Sequence, residues 1–282
     1  MAHRTALLII DAQNDFCDLP EAWCPPDPLG PGLLRPALPV AGAHADLLRL
    51  AAMIGAHAAQ IDAITLTQDA HHHFDIAHPS FWQRADGGPV APFTEISAEA
   101  LRSDQVRPRW PAHRLRAQAY LDALQAGGRY TLMVWPVHCQ IGTWGQGLHA
   151  SVLAACNAWE ALHGRPVTCV SKGDNPWTEH YSALMAEVPD ASDPASGLNH
   201  ALLARLAAAD RLLVAGQASS HCVRATLDHL LAHGPAGWAS RLVLLTDCTS
   251  PVAGFEAQQA ALLADMAAQG VTLATSTTAW PA

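Results

Sequence analysis

The chain has 282 residues, half of them hydrophobic and 15% charged, with a formal net charge of -9. That length can bury a sizeable core, and an acidic chain without a basic tract offers nothing to neutralise phosphates, so small-molecule chemistry is expected and a nucleic-acid partner is not. The apolar run Ala6 to Ile10 is far too short for a signal-peptide core or a membrane span, and the seven cysteines are scattered, odd in number and without paired spacing; both features predict a cytoplasmic protein with no membrane partner.

Taken in order, Thr5 to Ile10 reads as a buried strand that ends at Asp11-Ala-Gln-Asn-Asp-Phe16. A Pro- and Gly-rich excursion from Leu19 to Pro39 reads as a surface loop. Ala41 to Gln60 carries Leu47, Leu48, Leu50, Ala51 and Ile54 at helical spacing, and Ala63 to Thr67 is the second strand. His71 to Arg114 has no clean period and several prolines, so a long irregular insertion is expected, of the kind that walls an active site. Leu115 to Gln125 is a helix stopped by Gly127-Gly128, and Tyr130 to Val134 is the third strand. Leu148 to His163 is the next helix, closed by Gly164, and Val167 to Val170 the fourth strand, leading into Ser171-Lys-Gly173.

A polar linker, Pro189 to Gly197, precedes a helix from Asn199 to Ala208. Leu212 to Ala215 is the fifth strand, and after Gly216 the chain takes helical spacing at Val223, Leu227, Leu230 and Leu231. Cys222 therefore sits where a strand hands over to a helix, whose free amides and partial positive charge favour a thiolate. A lone cysteine in such a place is more often a small buried apolar residue. Ser240 to Leu245, a helix from Phe255 to Gln269, and a short strand from Val271 to Ala274 complete the chain. Alternation of this kind predicts an α/β protein: a three-layer α/β/α sandwich around a mostly parallel six-stranded sheet. One domain is expected over residues 1–282, with insertions near 19–39, 81–114 and 189–197.

In such sheets ligands bind beyond the carboxyl ends of the strands. The first five strands finish at Asp11, at Asp69 with His71, at His138, at Lys172 and at Cys222. Asp69 and His71, two apart on extended chain, leave on the same side, and His138 would complete a three-ligand site with positions open for water or substrate. His72, His73 and His78 compete for these roles. Lys172 beside Cys222 and Asp11 would lower the thiol pKa and let the carboxylate shuttle a proton.

These residues resemble the nicotinamidase/pyrazinamidase branch of the isochorismatase-like cysteine hydrolases. The likeness is carried by Asp11-Ala-Gln-Asn-Asp-Phe16, by Thr67-Gln-Asp-Ala-His71 through His78-Pro-Ser-Phe81, and by Trp135-Pro-Val-His-Cys-Gln-Ile-Gly142. Ser171-Lys-Gly173 with Tyr181-Ser182, and Gly216-Gln-Ala-Ser-Ser-His-Cys-Val-Arg-Ala-Thr226, continue it in order. The resemblance implies the isochorismatase-like fold, nucleophile Cys222, proton-shuttling Asp11 and charge-stabilising Lys172. It also implies metal ligands Asp69, His71 and His138, with His78 in the inner or outer shell. A cis peptide at Gln217–Ala218 and an oxyanion hole from the amides of Ala218 and Cys222 are expected, such donors contributing about 3–4 kcal/mol each. The implied reaction is hydrolysis of nicotinamide through a thioester, as in NAD salvage, with zinc bound, or iron or manganese on the same ligands.

Phe16 and Trp82 are the expected pocket aromatics, and a homo-oligomer is the expected assembly. Ser220 departs from the family, standing where an acidic residue is usual, and the three insertions make the chain longer than typical relatives. Two rivals stand beside this reading: a related hydrolase of another small amide or carbamoyl compound, and a metal-binding protein without turnover built on His71, His72, His73, His78 and Cys139.

Overall fold

β1 (Thr5–Ile10) is buried along its whole length because it runs between two helical layers. Alternate side chains leave on opposite faces, so Leu7 and Ile9 join one core and Leu8 and Ile10 the other. The computed structural model describes residues 4–280. After β1 come α1 (Ala43–His57), β2 (Ala63–Asp69), β3 (Trp82–Arg84), β4 (Thr94–Ile96), α2 (Ala98–Arg102) and β5 (Val106–Pro108). They are followed by α3 (Arg114–Gly127), β6 (Leu132–Val134), α4 (Ala150–His163), β7 (Thr168–Lys172) and α5 (His200–Ala207). β8 (Arg211–Gly216), α6 (Arg224–His233), β9 (Leu242–Leu245), α7 (Glu256–Ala268) and β10 (Thr272–Ala274) complete the chain.

The central sheet has six strands in the order β10-β9-β8-β1-β2-β7, and all five pairings are parallel. Leu47, Leu50 and Ile54 of α1 and Val152, Cys156 and Trp159 of α4 cover the Leu7/Ile9 face. Leu121 and Leu124 of α3, Leu202 and Leu206 of α5, Leu227 and Leu230 of α6, and Leu262 and Met266 of α7 cover the other. Each fully buried leucine is worth about 1.5–3 kcal/mol against exposure, so the two cores hold the strand ends as one rigid rim. The strand order reverses between β1 and β8, which makes their carboxyl ends the switch point where such sheets open a crevice. Among the described residues no helix is long and apolar enough to cross a membrane.

Two expectations change. The run expected as a third sheet strand is only Leu132–Val134, and it pairs antiparallel with Thr94–Ile96 outside the main sheet. β7 takes the place beside β2 directly, and the last strand, β10, completes the six. Nor is the insertion wholly irregular. β3 pairs with β5, and Ser97 caps α2 by accepting the Ala100 amide at 3.1 Å. Strands of three residues are too short to show a period, which is why the sequence reads as loop.

Candidate active site

Asp11 follows β1 with a left-handed φ of 46°, a conformation that costs a non-glycine residue about 1–3 kcal/mol and persists where neighbours hold it. Thr67 of β2 does the holding. Its carbonyl accepts the Asp11 amide at 3.1 Å, and its hydroxyl donates to Asp11 Oδ1 at 2.7 Å. At the end of β8, Gly216 (φ 119°) is pressed on Ile10 so closely that a Cβ would stand 1.9 Å from the Ile10 carbonyl oxygen. The Gln217–Ala218 peptide beyond it is cis. Ser219–Val223 then make a single wide π turn before α6, and Cys222 on that turn is buried. Ser219 and Val223 give their amides to Ser250 and Ala218 carbonyls.

Lys172, in register with Asp69 across β7 and β2, is 1% exposed. Its Nζ lies 2.8 Å from Asp11 Oδ2, 3.1 Å from the His180 carbonyl and 3.6 Å from Cys222 Sγ, and it donates to Asp69 Oδ1. A carboxylate oxygen of Asp11, one of Asp69 and the Cys222 sulfur all stand within 4.8 Å of one another. Burial raises the Asp11 pKa, Lys172 lowers it and Asp69 raises it, with a net rise. For Lys172, burial disfavours the ammonium, but Asp11 and Asp69 outweigh it and hold the proton firmly.

The thiol runs opposite to expectation. Burial pushes the Cys222 pKa well up; Lys172 pulls it down, while Asp11 and Asp69 push the same way as burial. The resting sulfur is therefore a thiol whose proton has a nearby carboxylate to go to.

Asp69 divides its carboxylate between two tasks. Oδ1 faces Lys172, while Oδ2 lies 3.7 Å from His71 Nε2 and 3.9 Å from His138 Nε2. One ligand atom from each of these three residues falls within 4.8 Å of the others. The outer nitrogens are engaged: His71 Nδ1 with Asp75 Oδ2 at 3.0 Å, and His138 Nδ1 with the Pro136 carbonyl at 2.9 Å. That fixes both Nε2 atoms inward, as ligating histidines require. His71 Nε2 is buried without a hydrogen-bond partner, and two imidazoles with a carboxylate suit zinc, iron or manganese; the residues present fit a divalent cation. Burial lowers the His138 pKa to about 3 and that of His78 likewise to about 3. His78 stands behind His138, its Nε2 3.4 Å from His138 Nδ1 and its Nδ1 3.2 Å from the His72 carbonyl. His72 and His73 are exposed. Cys139 is buried outside the ligand set, its amide given to Asp15 Oδ2 at 2.6 Å.

Between these groups lies a narrow cleft lined by Phe16, Leu38, Asp69, Trp135, His138, Glu179, Tyr181, Ala218, His221, Cys222 and Val252. Phe16 meets His138 edge to face at 5.4 Å. Trp82 does not reach the cleft. It is fully buried beneath the insertion, with its indole N–H donated to the Ile76 carbonyl at 2.7 Å; the lining tryptophan is Trp135, whose indole donates to Tyr181 Oη at 3.0 Å. A larger cleft, lined by Thr5, Gln60, Asp62, Arg211 and Trp280, sits at the amino-terminal rim of the sheet and holds no nucleophile. Gln13, Asp75 and Glu179 went unread in the sequence. Gln13 clamps the Asp69 backbone, its Nε2 donating to Asp69 O at 2.8 Å and its Oε1 accepting the Asp69 amide at 2.7 Å. Glu179 keeps Oε2 unpartnered, and burial pushes its pKa up to about 7. Asp75 has a legible signal, an acid four residues after His71; Glu179 has none.

Several solved structures share this arrangement of elements. A nicotinamidase/pyrazinamidase of Acinetobacter baumanii is 21% identical, with a TM-score of 0.60 over 98% of this chain and 98% of that one. A pyrazinamidase of Pyrococcus horikoshii in complex with zinc is 20% identical, with a TM-score of 0.52 over 96% and 99%. An isochorismatase-like hydrolase from Alkaliphilus metalliredigens is 15% identical, with a TM-score of 0.51 over 97% and 96%. The chain has the isochorismatase-like hydrolase fold. Comparison with family models and with curated protein sequences gives no match. The alignment spans nearly the full length of this chain and of the structures it matches.

Proposed function

We propose that this chain is a metal-dependent cysteine amidohydrolase of nicotinamidase type, which converts a small aromatic carboxamide such as nicotinamide to the acid and ammonia. One observation carries the reading: the Lys172 ammonium touches Asp11, Asp69 and Cys222 at once, at the switch point of the sheet, beside a three-ligand set. The relatives in fold act, by their names, on nicotinamide or pyrazinamide, and one is complexed with zinc.

In the mechanism, Asp11 accepts the Cys222 proton as Sγ bonds to the carboxamide carbon. Its raised pKa suits a base that must return the proton. The charge that develops on the carbonyl oxygen is met by the amides of Ala218 and Cys222. The C–N bond breaks as Asp11 delivers the proton to the leaving nitrogen, so ammonia departs and a thioester remains. Asp11 then takes a proton from water as its oxygen attacks the thioester carbon, and the C–S bond breaks to restore the thiol. Lys172 lets Asp11 and Asp69 stand charged side by side before the proton moves, and pairs with Asp69 when Asp11 holds it. Asp69, His71 and His138 would hold a divalent cation, zinc or else iron or manganese, which would supply Lewis acidity beside the reacting carboxamide. Phe16 and Trp135 close on the flat faces of the ring and exclude solvent.

Ammonia release from nicotinamide, set against a panel of small amides and carbamoyl compounds, tests the proposal. Activity that vanishes in Cys222→Ala while bound metal stays at one per chain supports it. Turnover that survives the substitution sinks the cysteine route, and metal binding with no turnover of any amide leaves a binding protein. Leu38, from the Pro- and Gly-rich excursion, forms part of the wall, and it favours a second reading in which another small amide is the preferred substrate.

A further inference from the structure

Ser220 and His221 precede the nucleophile on the π turn, and both are buried. The Ser220 hydroxyl accepts the Val252 amide at 3.1 Å and lies 2.9 Å from His221 Nδ1. No other acceptor for the hydroxyl proton is bonded to it among the described residues, and with the oxygen already accepting from Val252, Nδ1 is the acceptor within its reach. Burial keeps the imidazole neutral, lowering its pKa to about 4. The ring is held by Phe255 at 4.7 Å, Trp135 at 5.0 Å and Tyr181 at 5.2 Å, and it forms one wall of the cleft. Nε2 makes no hydrogen bond among the described residues, yet it is not sealed from solvent. None of its ring contacts is with His71, His78 or His138, so this is a polar point separate from the ligand set.

We propose that Ser220 sets the selectivity of the cleft by holding His221 as a neutral Nε2–H donor, so that the site prefers carboxamides whose ring carries a hydrogen-bond acceptor toward this wall over those that present a donor there. The inference deepens the amidohydrolase reading and rests on it. An acidic side chain at position 220 would do the reverse. A carboxylate takes the Nδ1 hydrogen, and the lone pair of Nε2 then faces the substrate. A buried donor facing another donor stays unsatisfied, which is the kind of mismatch that discriminates strongly between similar substrates. Ser220 is a positioning residue, acting only through the ring beside it.

The tautomer is read directly from long-range proton–nitrogen spectra of histidine-labelled protein, with His221 assigned by its loss in His221→Phe. Nε2–H is expected in the wild type and in Ser220→Thr, which keeps the hydroxyl, and Nδ1–H in Ser220→Asp. A wild-type ring protonated on Nδ1 overturns the proposal whatever the enzyme hydrolyses. The second arm compares KM for pyrazine-2-carboxamide and for 6-aminopyridine-3-carboxamide. The wild type and Ser220→Thr should favour the first by about tenfold or more, and Ser220→Asp should erase or invert that ratio, with kcat for nicotinamide less affected than KM. An unchanged ratio in Ser220→Asp overturns it. If no amide of the panel, these two included, turns over, the amidohydrolase reading fails by itself, and the His221 nitrogen shifts decide. Perturbation by the pyrazine alone upholds the donor wall, and equal perturbation by both compounds removes it.

Discussion

Three charges share one dry spot, and their stability is mutual. Lys172 neutralises Asp11 and Asp69, all of them almost completely buried. Lys172→Met should cost about 3–5 kcal/mol in denaturant unfolding, since it leaves two carboxylates without a partner. Adding Asp11→Asn should recover part of that loss, which independent sites would not show. Asp11→Asn alone should lower kcat by roughly 10²–10⁴ with little change in KM. Another buried carboxyl, that of Glu187, has its pKa raised to about 7 by burial, only partly relieved by Arg129. Its folded pKa lies above the unfolded one, so the folded chain keeps a proton that the unfolded chain releases. Stability from this group is intact below about pH 4.5 and is lost as pH rises to about 7. Thermal melts should therefore show Glu187→Gln gaining about 1–3 kcal/mol over the wild type at pH 8 and nothing at pH 4.5.

At the scale of elements, close backbone approaches set where the reactive side chains stand. Gly216→Ala should cost upwards of about 3 kcal/mol, because the new methyl meets the Ile10 carbonyl at 1.9 Å in a left-handed conformation. Gly173 (φ 86°) has more room, its Cβ falling 3.3 Å from His71 Cε1. Gly173→Ala should cost about 1–2 kcal/mol and weaken cation binding by displacing that ring, as calorimetry would show. β1 and β8 were legible in the sequence since each is an apolar run stopped short, by Asp11 and by Gly216. β6 misled because Leu132–Val134 is equally apolar wherever it pairs, and its partner Thr94–Ile96 has no period to reveal it. Helical spacing after Gly216 gave α6 but not the π turn, whose one wide loop of backbone leaves no mark on which residues are apolar. For the same reason the thiol was expected to ionise readily: a helix start was visible, whereas the depth of burial was not.

At the scale of the whole molecule, the ligand set joins the main sheet to a segment outside it: Asp69 ends β2, and His138 lies on the loop after β6, which bridges to His71 through Gln140. A cation held by both should brace the sheet against the insertion. Zinc at a hundredfold excess over Kd should add about 2.7 kcal/mol, a rise of roughly 5–10 °C in Tm that a chelator reverses. The α/β/α architecture was legible because alternation survives any loop length. The tryptophan facing the cleft was not, since Trp82 and Trp135 are both buried indoles at an end of a three-residue strand and only packing separates them.

Asp15 gives the rim a further property. Its Oδ1 accepts the Ala37 amide at 2.9 Å and its Oδ2 the Cys139 amide at 2.6 Å, fastening the segment that carries Leu38 to the one that carries His138. Gly145 packs so near that a Cβ there would stand 2.2 Å from the same carboxylate. One side chain thus ties the shape of the entrance to the grip on the ion. Variants selected in the 34–40 segment for a new substrate should arrive with altered metal retention as a by-product, and the two traits should separate only once Asp15 is replaced.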